Sequence, residues 1–149
     1  MIIIRKMQQA DVESVMVIEQ EVVDFPWTYS IFSDCIKVGY GCWVLEEEDE
    51  VLGYALLSIA ASEGHILNLV IKSDRRHQGL GRRLLMHLIE QAKTLKATSV
   101  YLEVRRSNEI AYDLYLKTGF MIIGERKDYY PALVNGREDA LVLELSFKT

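Results

Sequence analysis

A loop rich in glycine and arginine constrains the fold of this chain more than any other feature. Residues 75–83 read Arg-Arg-His-Gln-Gly-Leu-Gly-Arg-Arg, shortly after an apolar run that ends at Ile71 and directly before a helical pattern. Glycine lets the backbone approach a ligand closely, and the positive end of the following helix attracts anions. The pattern predicts a strand, a phosphate-binding loop and a helix, together with a polyanionic ligand.

The charge of this loop contrasts with the rest of the chain. The net charge is −5 and residues 75–83 contribute +4, which leaves −9 for all other residues. A general nucleic-acid-binding protein spreads its basic residues over a face or groove, so this pattern argues against direct binding to nucleic acid. It favours one anionic ligand at the loop and is compatible with a basic protein partner.

The length of 149 residues predicts a single domain, 1–149. The N-terminal apolar run is short and precedes its charges, unlike a signal peptide, and the apolar stretch 51–61 falls short of the ~20 residues that a membrane helix needs. We therefore expect a cytoplasmic protein with no membrane contact. Cys35 and Cys42 form no C-x-x-C pair and the three histidines are scattered, so no metal site is predicted.

The hydrophobic periodicities predict the order β-α-α-β-β-β-α-β-α-β-β, which is an α/β (α+β) mixed sheet covered by helices. Asn108 is expected to begin a helix that Gly119 ends, and Asn135-Gly136 is a hairpin signal. The predicted strands cover 2–4, 42–45, 51–60, 65–71, 99–104 and 140–145, a further strand opens at 121–123, and the predicted helices cover 12–22, 31–36, 80–95 and 108–117.

Spacing excludes two common kinds of phosphate-binding loop. A Walker A loop requires Gly-Lys-Ser/Thr, whereas Gly81 is followed by two arginines. A dinucleotide-binding loop would explain Glu103 about twenty residues past the glycines, but Leu84 stands at the third glycine position and residues 72–78 make the turn too long.

The remaining pattern carries a family resemblance. Asn68-Leu69-Val70-Ile71 followed by Arg76-x-x-Gly79-x-Gly81 resembles the acetyl-CoA motif of the GCN5-related N-acetyltransferase (GNAT) superfamily. The position of this motif after a predicted antiparallel meander strengthens the resemblance. It implies the N-acetyltransferase fold and acetyl-CoA as co-substrate.

Further blocks resemble one branch of this superfamily, the bacterial ribosomal-protein-alanine N-acetyltransferases, over nearly the whole chain. These blocks are Pro26-Trp27-Thr28, the run from Leu102 to Asn108, Ala111 with Leu114-Tyr115, Gly119-Phe120, Tyr129-Tyr130-Pro131 and the run from Asn135 to Ala140. The chain departs from that branch at Ser73, where proline is common, and at Val70, where alanine is common. Both departures concern loop stiffness and packing.

The resemblance implies a role for each matching position. It makes Glu103 the general base, Tyr115 the general acid, and the substrate an N-terminal alanine of a small-subunit ribosomal protein. The implied acetyl-CoA-binding residues are Leu69, Val70, Ile71, Arg76, His77, Gln78, Gly79, Leu80, Gly81, Arg82 and Asn108, and the candidate peptide-binding residues are Trp27, Tyr129 and Tyr130.

The residues themselves are compatible with these roles and with simpler ones. Strand alternation places Glu103 on the face opposite Leu102 and Val104, as either a base or a solvated carboxylate. Asn108 and Tyr115 share one helical stripe, but Asn108 is also a helix cap and Tyr115 is also a packing residue. Packing is equally an explanation for the three aromatic residues assigned to the peptide.

Two questions of chemistry stay open at the level of sequence. Neither cysteine lies in these blocks, which favours direct attack of the amine over a covalent acetyl-cysteine intermediate. An α-amine has a lower reference pKa than lysine and is easier to deprotonate, which favours a protein N-terminus. The alternatives are an acetyltransferase for polyamines or aminoglycosides and a non-catalytic acetyl-CoA sensor.

Overall fold

The computed structural model describes residues 1–132 and 136–147. The strands are β1 (Ile2–Lys6), β2 (Gly41–Glu47), β3 (Glu50–Ala60), β4 (Glu63–Ile71), β5 (Ser99–Arg105), β6 (Met121–Pro131) and β7 (Arg137–Ser146), and the helices are α1 (Val12–Val22), α2 (Tyr29–Val38), α3 (Leu80–Thr94) and α4 (Glu109–Thr118). Their order along the chain confirms the predicted succession of strands and helices. Gly136 has a φ of 77°, as a turn residue would, whereas Asn135 of the same hairpin signal lies outside the described residues.

The strands form one mixed sheet in the order β1-β2-β3-β4-β5-β7-β6. The pairs β1–β2, β2–β3, β5–β7 and β6–β7 are antiparallel, and β4–β5 is parallel. The parallel ladder is short, because it joins only Glu63–His65 to Ser99–Tyr101. The chain divides into two compact units, the first made of Met1–Ser58 and Ile66–Gln91 and the second of Ile59–His65 and the described residues after Gln91. The single domain expected from the length stays a prediction.

The core of the first unit is built from apolar side chains of β2–β4, α1 and α2, together with Met7 directly after β1. The predicted apolar stripe of α3 is buried from Leu80 to Ile89, but Leu95 lies beyond the end of the helix and is 58% exposed. Asp11 precedes α1 without capping it, since its carboxylate instead accepts the Gln8 N–H and pairs with Arg5 at 2.8 Å. The prediction of helix α3 is therefore confirmed, and the assignment of Leu95 to its buried stripe is wrong.

The second unit consists of β5, β7 and β6 with α4 and the first residues of β4. Alternate residues of β5 are buried, namely Val100, Leu102 and Val104, as the period of two in this strand requires. Strand β6 lies at the edge of the sheet, and its register against β7 shifts between Arg126 and Tyr130. Such a bulge re-aims the side chains next to it.

Within the residues that the structure describes, no helix has both the length and the apolar character that crossing a membrane requires.

Gly53 in β3 is required by a close approach of backbones inside the first unit. A Cβ built at this glycine would lie 2.8 Å from the Val70 carbonyl oxygen and 2.6 Å from Ile71 Cδ1. We expect Gly53→Ala to lower the free energy of unfolding by about 1–3 kcal/mol, because the backbone of β4 must move to admit the methyl group.

Urea or thermal unfolding measures this effect, with Gly124→Ala in β6 as the matched control, since nothing lies within 4 Å of a Cβ there. A Gly53→Ala protein as stable as the Gly124→Ala protein would contradict the proposed steric constraint.

Candidate active site

The glycine loop of the first unit has the backbone conformation of an anion-binding turn. His77 and Gly79 both have positive φ, at 63° and 75°, and α3 begins at Leu80. The N–H of Arg83 bonds to the Gly79 carbonyl at 3.1 Å and so begins the helical hydrogen-bond ladder. The N–H groups of the preceding turn, Leu80 to Arg82, lie at the positive end of a 15-residue helix, where an anion is favoured. The backbone therefore fits a diphosphate.

The four arginines of the loop divide into two pairs. Arg75 bonds to Glu47 at 2.8 Å and also to Gln78, and Arg83 donates to the Ile2 carbonyl at 3.4 Å. Arg76 and Arg82 are exposed. The loop thus uses two of its arginines to hold its own structure, which the sequence pattern did not indicate.

The end of β4 carries the other residues expected to contact acetyl-CoA. Val70 is buried in the core, whereas Leu69 and Ile71 are half-buried, as alternation along a strand requires. The next residue, Lys72, donates its N–H to the Leu52 carbonyl at 2.8 Å, which fixes the exit of the strand toward the loop.

A buried carboxylate holds the segment around Trp27. Glu19 in α1 is 1% exposed and accepts hydrogen bonds from the Trp27 backbone N–H at 2.8 Å, the Tyr54 hydroxyl at 2.7 Å and the Asn68 amide at 3.1 Å. Burial and the adjacent Glu19 carboxylate raise the pKa of Tyr54. The Trp27 ring packs on Phe32 with centroids 5.2 Å apart. The helical pattern of α1 gave no sign that Glu19 faces the core.

The two cysteines of the first unit are buried thiols. Burial raises the pKa of Cys42 to about 11, and burial also raises the pKa of Cys35. A thiol with a raised pKa is a poor nucleophile at neutral pH, because the thiolate is the reactive form.

Glu103 lies in the second unit on β5, with a side chain only 7% exposed. It faces away from Leu102 and Val104, which are buried on the other side of the strand, as the alternation predicted. Arg126 Nε lies 3.9 Å from Oε2 of this carboxylate, beyond hydrogen-bond distance. The carboxylate is therefore largely removed from water, which is a suitable setting for a base.

His65 is the close partner of Glu103, and no sequence pattern indicated this pair. His65 Nε2 lies 2.8 Å from Glu103 Oε1, and the imidazole stacks on Tyr101 with ring centroids 4.3 Å apart and planes at 12°. The three scattered histidines of the sequence gave no reason to single out His65. The signal lies in the register of β4 against β5, which a single sequence does not give.

Tyr115 projects from α4 into the interior of the second unit. It is 7% exposed and packs against Phe120, with ring centroids 5.7 Å apart. Burial raises the pKa of Tyr115 to about 12, so its hydroxyl is protonated throughout the neutral range. Asn108, seven residues earlier, is the helix cap: its Oδ1 accepts the Ala111 N–H at 3.3 Å.

Tyr130 lies within the electrostatic range of Glu103. Its pKa is raised first by burial and then by the charge of Glu103, with smaller effects that include the ionised form of Tyr115. The Arg105 guanidinium lies 4.5 Å from the centre of the Tyr130 ring and donates to the Pro131 carbonyl at 2.6 Å. Within the second unit, Glu103 and Tyr130 are therefore near enough to interact electrostatically.

Tyr129 lies beside these residues but faces solvent. It is 44% exposed, with its ring 4.9 Å from that of Tyr130 and the Arg126 guanidinium 5.5 Å from its centre. The bulge in β6 produces this arrangement: Asp128, with a φ of 50°, donates its N–H to Asp139 at 2.9 Å. The tyrosine pair is therefore held at a structured edge.

Comparison with known proteins agrees with this geometry. The acetyltransferase (GNAT) family model matches residues 7–120. A [ribosomal protein bS18]-alanine N-acetyltransferase of Escherichia coli is 32% identical over 142 residues, which cover 95% of this chain and 95% of that protein. A putative enzyme of the same name from Bacillus subtilis is 34% identical over 142 residues, covering 94% of this chain and 92% of that protein.

A solved protein structure is also similar to the fold of this chain. The crystal structure of the ribosomal-protein-S18-alanine N-acetyltransferase from Escherichia coli superposes with a TM-score of 0.92 at 32% identity, covering 100% of this chain and 96% of that one. The fold and these relatives define an acyltransferase. The chain belongs to the acetyltransferase (GNAT) family, which confirms the resemblance that its motifs carry.

The cap of α4 yields a stability prediction. Asn108→Ala should lower the free energy of unfolding by about 1 kcal/mol, because the Ala111 N–H loses its acceptor. Asn108→Asp keeps an acceptor oxygen and should unfold as the wild type does. Urea denaturation of both variants checks this, and equal losses in the two would contradict the cap. A raised acetyl-CoA KM in the stable Asn108→Asp protein would assign the amide nitrogen to the cofactor as well.

Proposed function

We propose that this chain acts as a single N-acetyltransferase domain that transfers the acetyl group of acetyl-CoA to the N-terminal α-amine of a protein. The proposed target is the N-terminal alanine of a small-subunit ribosomal protein. The observation that carries the proposal is similarity over 95% of the chain to enzymes named for that reaction. The proposed substrate also implies a cytoplasmic location.

The first unit supplies the proposed acetyl-CoA site. Acetyl-CoA provides an activated acetyl thioester. The positive φ of His77 and Gly79 and the start of α3 support a diphosphate held by the backbone from His77 to Arg82, with Arg76 and Arg82 adding charge. Gln78 and the other loop residues contribute mainly backbone N–H groups. Leu69, Val70 and Ile71 are proposed to present the backbone of β4 to the pantetheine arm and to the thioester carbonyl.

Glu103 is the proposed general base. The α-ammonium must lose a proton before its nitrogen can attack, and the Glu103 carboxylate is 7% exposed, bonded to His65 at Oε1 and beyond hydrogen-bond distance of Arg126 at Oε2. We infer that Glu103 accepts this proton through a water molecule. Because the Cys42 thiol has a pKa of about 11, the amine is proposed to attack the thioester directly, with no acetyl-cysteine.

A protein N-terminal α-amine is the acceptor that Glu103 would deprotonate most readily. Its reference pKa lies near 7.7–8.0 and that of lysine near 10.4, so at neutral pH the free-base fraction differs by roughly a few hundredfold. Tyr129 and Tyr130 of the second unit are proposed peptide-binding residues, and Trp27 of the first unit is proposed separately for the same role. The charge of −9 outside the glycine loop is compatible with a basic ribosomal protein as partner.

A panel of acceptors tests the proposal. Peptides that begin with Ala, Ser or Gly, an N-terminally blocked peptide with an internal lysine, and spermidine are offered with acetyl-CoA, and released CoA thiol is measured. We expect the Ala peptide to react with the highest kcat/KM and the blocked peptide not to react.

Two outcomes would overturn the proposal in different ways. Acetylation of spermidine without any peptide would indicate a small-amine acetyltransferase. Binding of acetyl-CoA without release of thiol to any acceptor would indicate a sensor. If the wild type is active, Glu103→Gln should bind acetyl-CoA as the wild type does but release CoA thiol more slowly. It is the control for a protein that binds acetyl-CoA and reacts slowly.

The proposed acid role of Tyr115 predicts a specific kinetic effect. Tyr115→Phe should lower kcat about 10- to 100-fold with little change in acetyl-CoA KM, because only the departing sulfur loses a donor. Since its pKa is about 12, Tyr115 should not produce an alkaline limb in the wild-type pH profile below pH ~10.

Tyr112→Phe on the same helix is the matched control and should leave kcat near wild type. An unchanged kcat in Tyr115→Phe would indicate a packing role. A wild-type alkaline limb below pH 10 that disappears in Tyr115→Phe would contradict the raised pKa.

A further inference from the structure

His65 contacts Glu103 through geometry that the strands impose. The parallel register pairs His65 of β4 with Tyr101 of β5, and Glu103 follows Tyr101 by two residues on the same face. The stacked Tyr101 ring holds the imidazole plane, and Nε2 reaches Oε1 at 2.8 Å. The hydrogen bond therefore joins two side chains whose positions the backbone has already set.

The Glu103 carboxylate depends on the hydrogen bond from His65 more than a solvent-exposed carboxylate would. With only 7% of its side chain exposed, Glu103 has little water to stabilise its charge, and a buried charge without a partner is costly. Arg126 lies 3.9 Å from the other oxygen and its side chain is 53% exposed. Among the described contacts, His65 thus provides the short hydrogen bond to this carboxylate.

We propose that His65 is a positioning residue for Glu103: its Nε2–H donates to Oε1, fixes the plane of the carboxylate and leaves Oε2 as the proton-accepting oxygen. The inference rests on the proposed role of Glu103 as the base. A base acts efficiently only when its oxygen is held within hydrogen-bond reach of the proton that it removes. His65 itself contacts neither substrate.

Two substitutions separate the hydrogen bond from the ring stack. His65→Phe keeps an aromatic ring against Tyr101 and removes the N–H, whereas His65→Gln removes the ring and keeps an amide N–H of similar reach. We expect His65→Phe to lower kcat about 10- to 100-fold, the effect of losing one hydrogen bond to a charged group, with acetyl-CoA KM unchanged. His65→Gln should retain kcat within about threefold of the wild type, at a lower Tm.

A double-mutant cycle with Glu103→Gln tests whether His65 acts through Glu103. In the Glu103→Gln background, His65→Phe should cause little further loss of kcat, because the carboxylate that it positions is already gone. Circular dichroism and Tm establish that each variant is folded, and His65→Leu replaces His65→Phe if the latter is not.

Several results would overturn the inference. They are a His65→Phe kcat within twofold of the wild type, a His65→Gln enzyme as slow as His65→Phe, and fully additive losses in the cycle. These results are distinguishable from failure of the proposed function, in which wild type would acetylate no peptide or Glu103→Gln would leave kcat unchanged.

Discussion

The short parallel ladder between β4 and β5 is the constraint on which the arrangement of side chains in the second unit depends. It covers three residues of each strand, Glu63–His65 and Ser99–Tyr101, and it fixes which side chains of the two strands are neighbours. A shift of one residue would turn Glu103 to the other face of β5, where Leu102 and Val104 are buried. The position of the proposed base is therefore a consequence of backbone pairing, and His65 completes it.

Two buried glutamates show how partners set the role of a carboxylate. Glu19 accepts three hydrogen bonds, from Trp27, Tyr54 and Asn68, so its lone pairs stabilise the fold of the first unit. Among the described contacts, Glu103 accepts one short bond at Oε1, and Arg126 Nε lies 3.9 Å from Oε2. A carboxylate whose two oxygens both accept hydrogen bonds is a structural element, whereas one that keeps an oxygen without such a bond can take a proton. The difference supports the assignment of Glu103 rather than Glu19 to chemistry.

The sequence predicted those features that local chemistry determines. The Asn108 cap and the Gly119 helix end each follow from one residue type in one backbone conformation, and the structure contains both. The pairing of His65 with Glu103 involves residues 38 positions apart and depends on strand register, so no local pattern contains it. Burial of Glu19 was missed because helical periodicity was counted on apolar residues only.

The raised pKa of Tyr115 limits how this residue can assist the leaving group. A hydroxyl with a pKa of about 12 is a weaker acid than a thiol, whose reference value is about 8.5, so complete proton transfer to the free thiolate would be uphill by roughly 3.5 units. Sulfur carries its developing charge while the carbon–sulfur bond is breaking, and a protonated donor in a dry site stabilises that charge by hydrogen bonding. Because burial is the cause of the high pKa, the same burial strengthens this hydrogen bond. In its proposed role, Tyr115 is therefore a donor that is protonated throughout the neutral range and acts in the transition state, and the CoA thiolate takes its final proton from solvent.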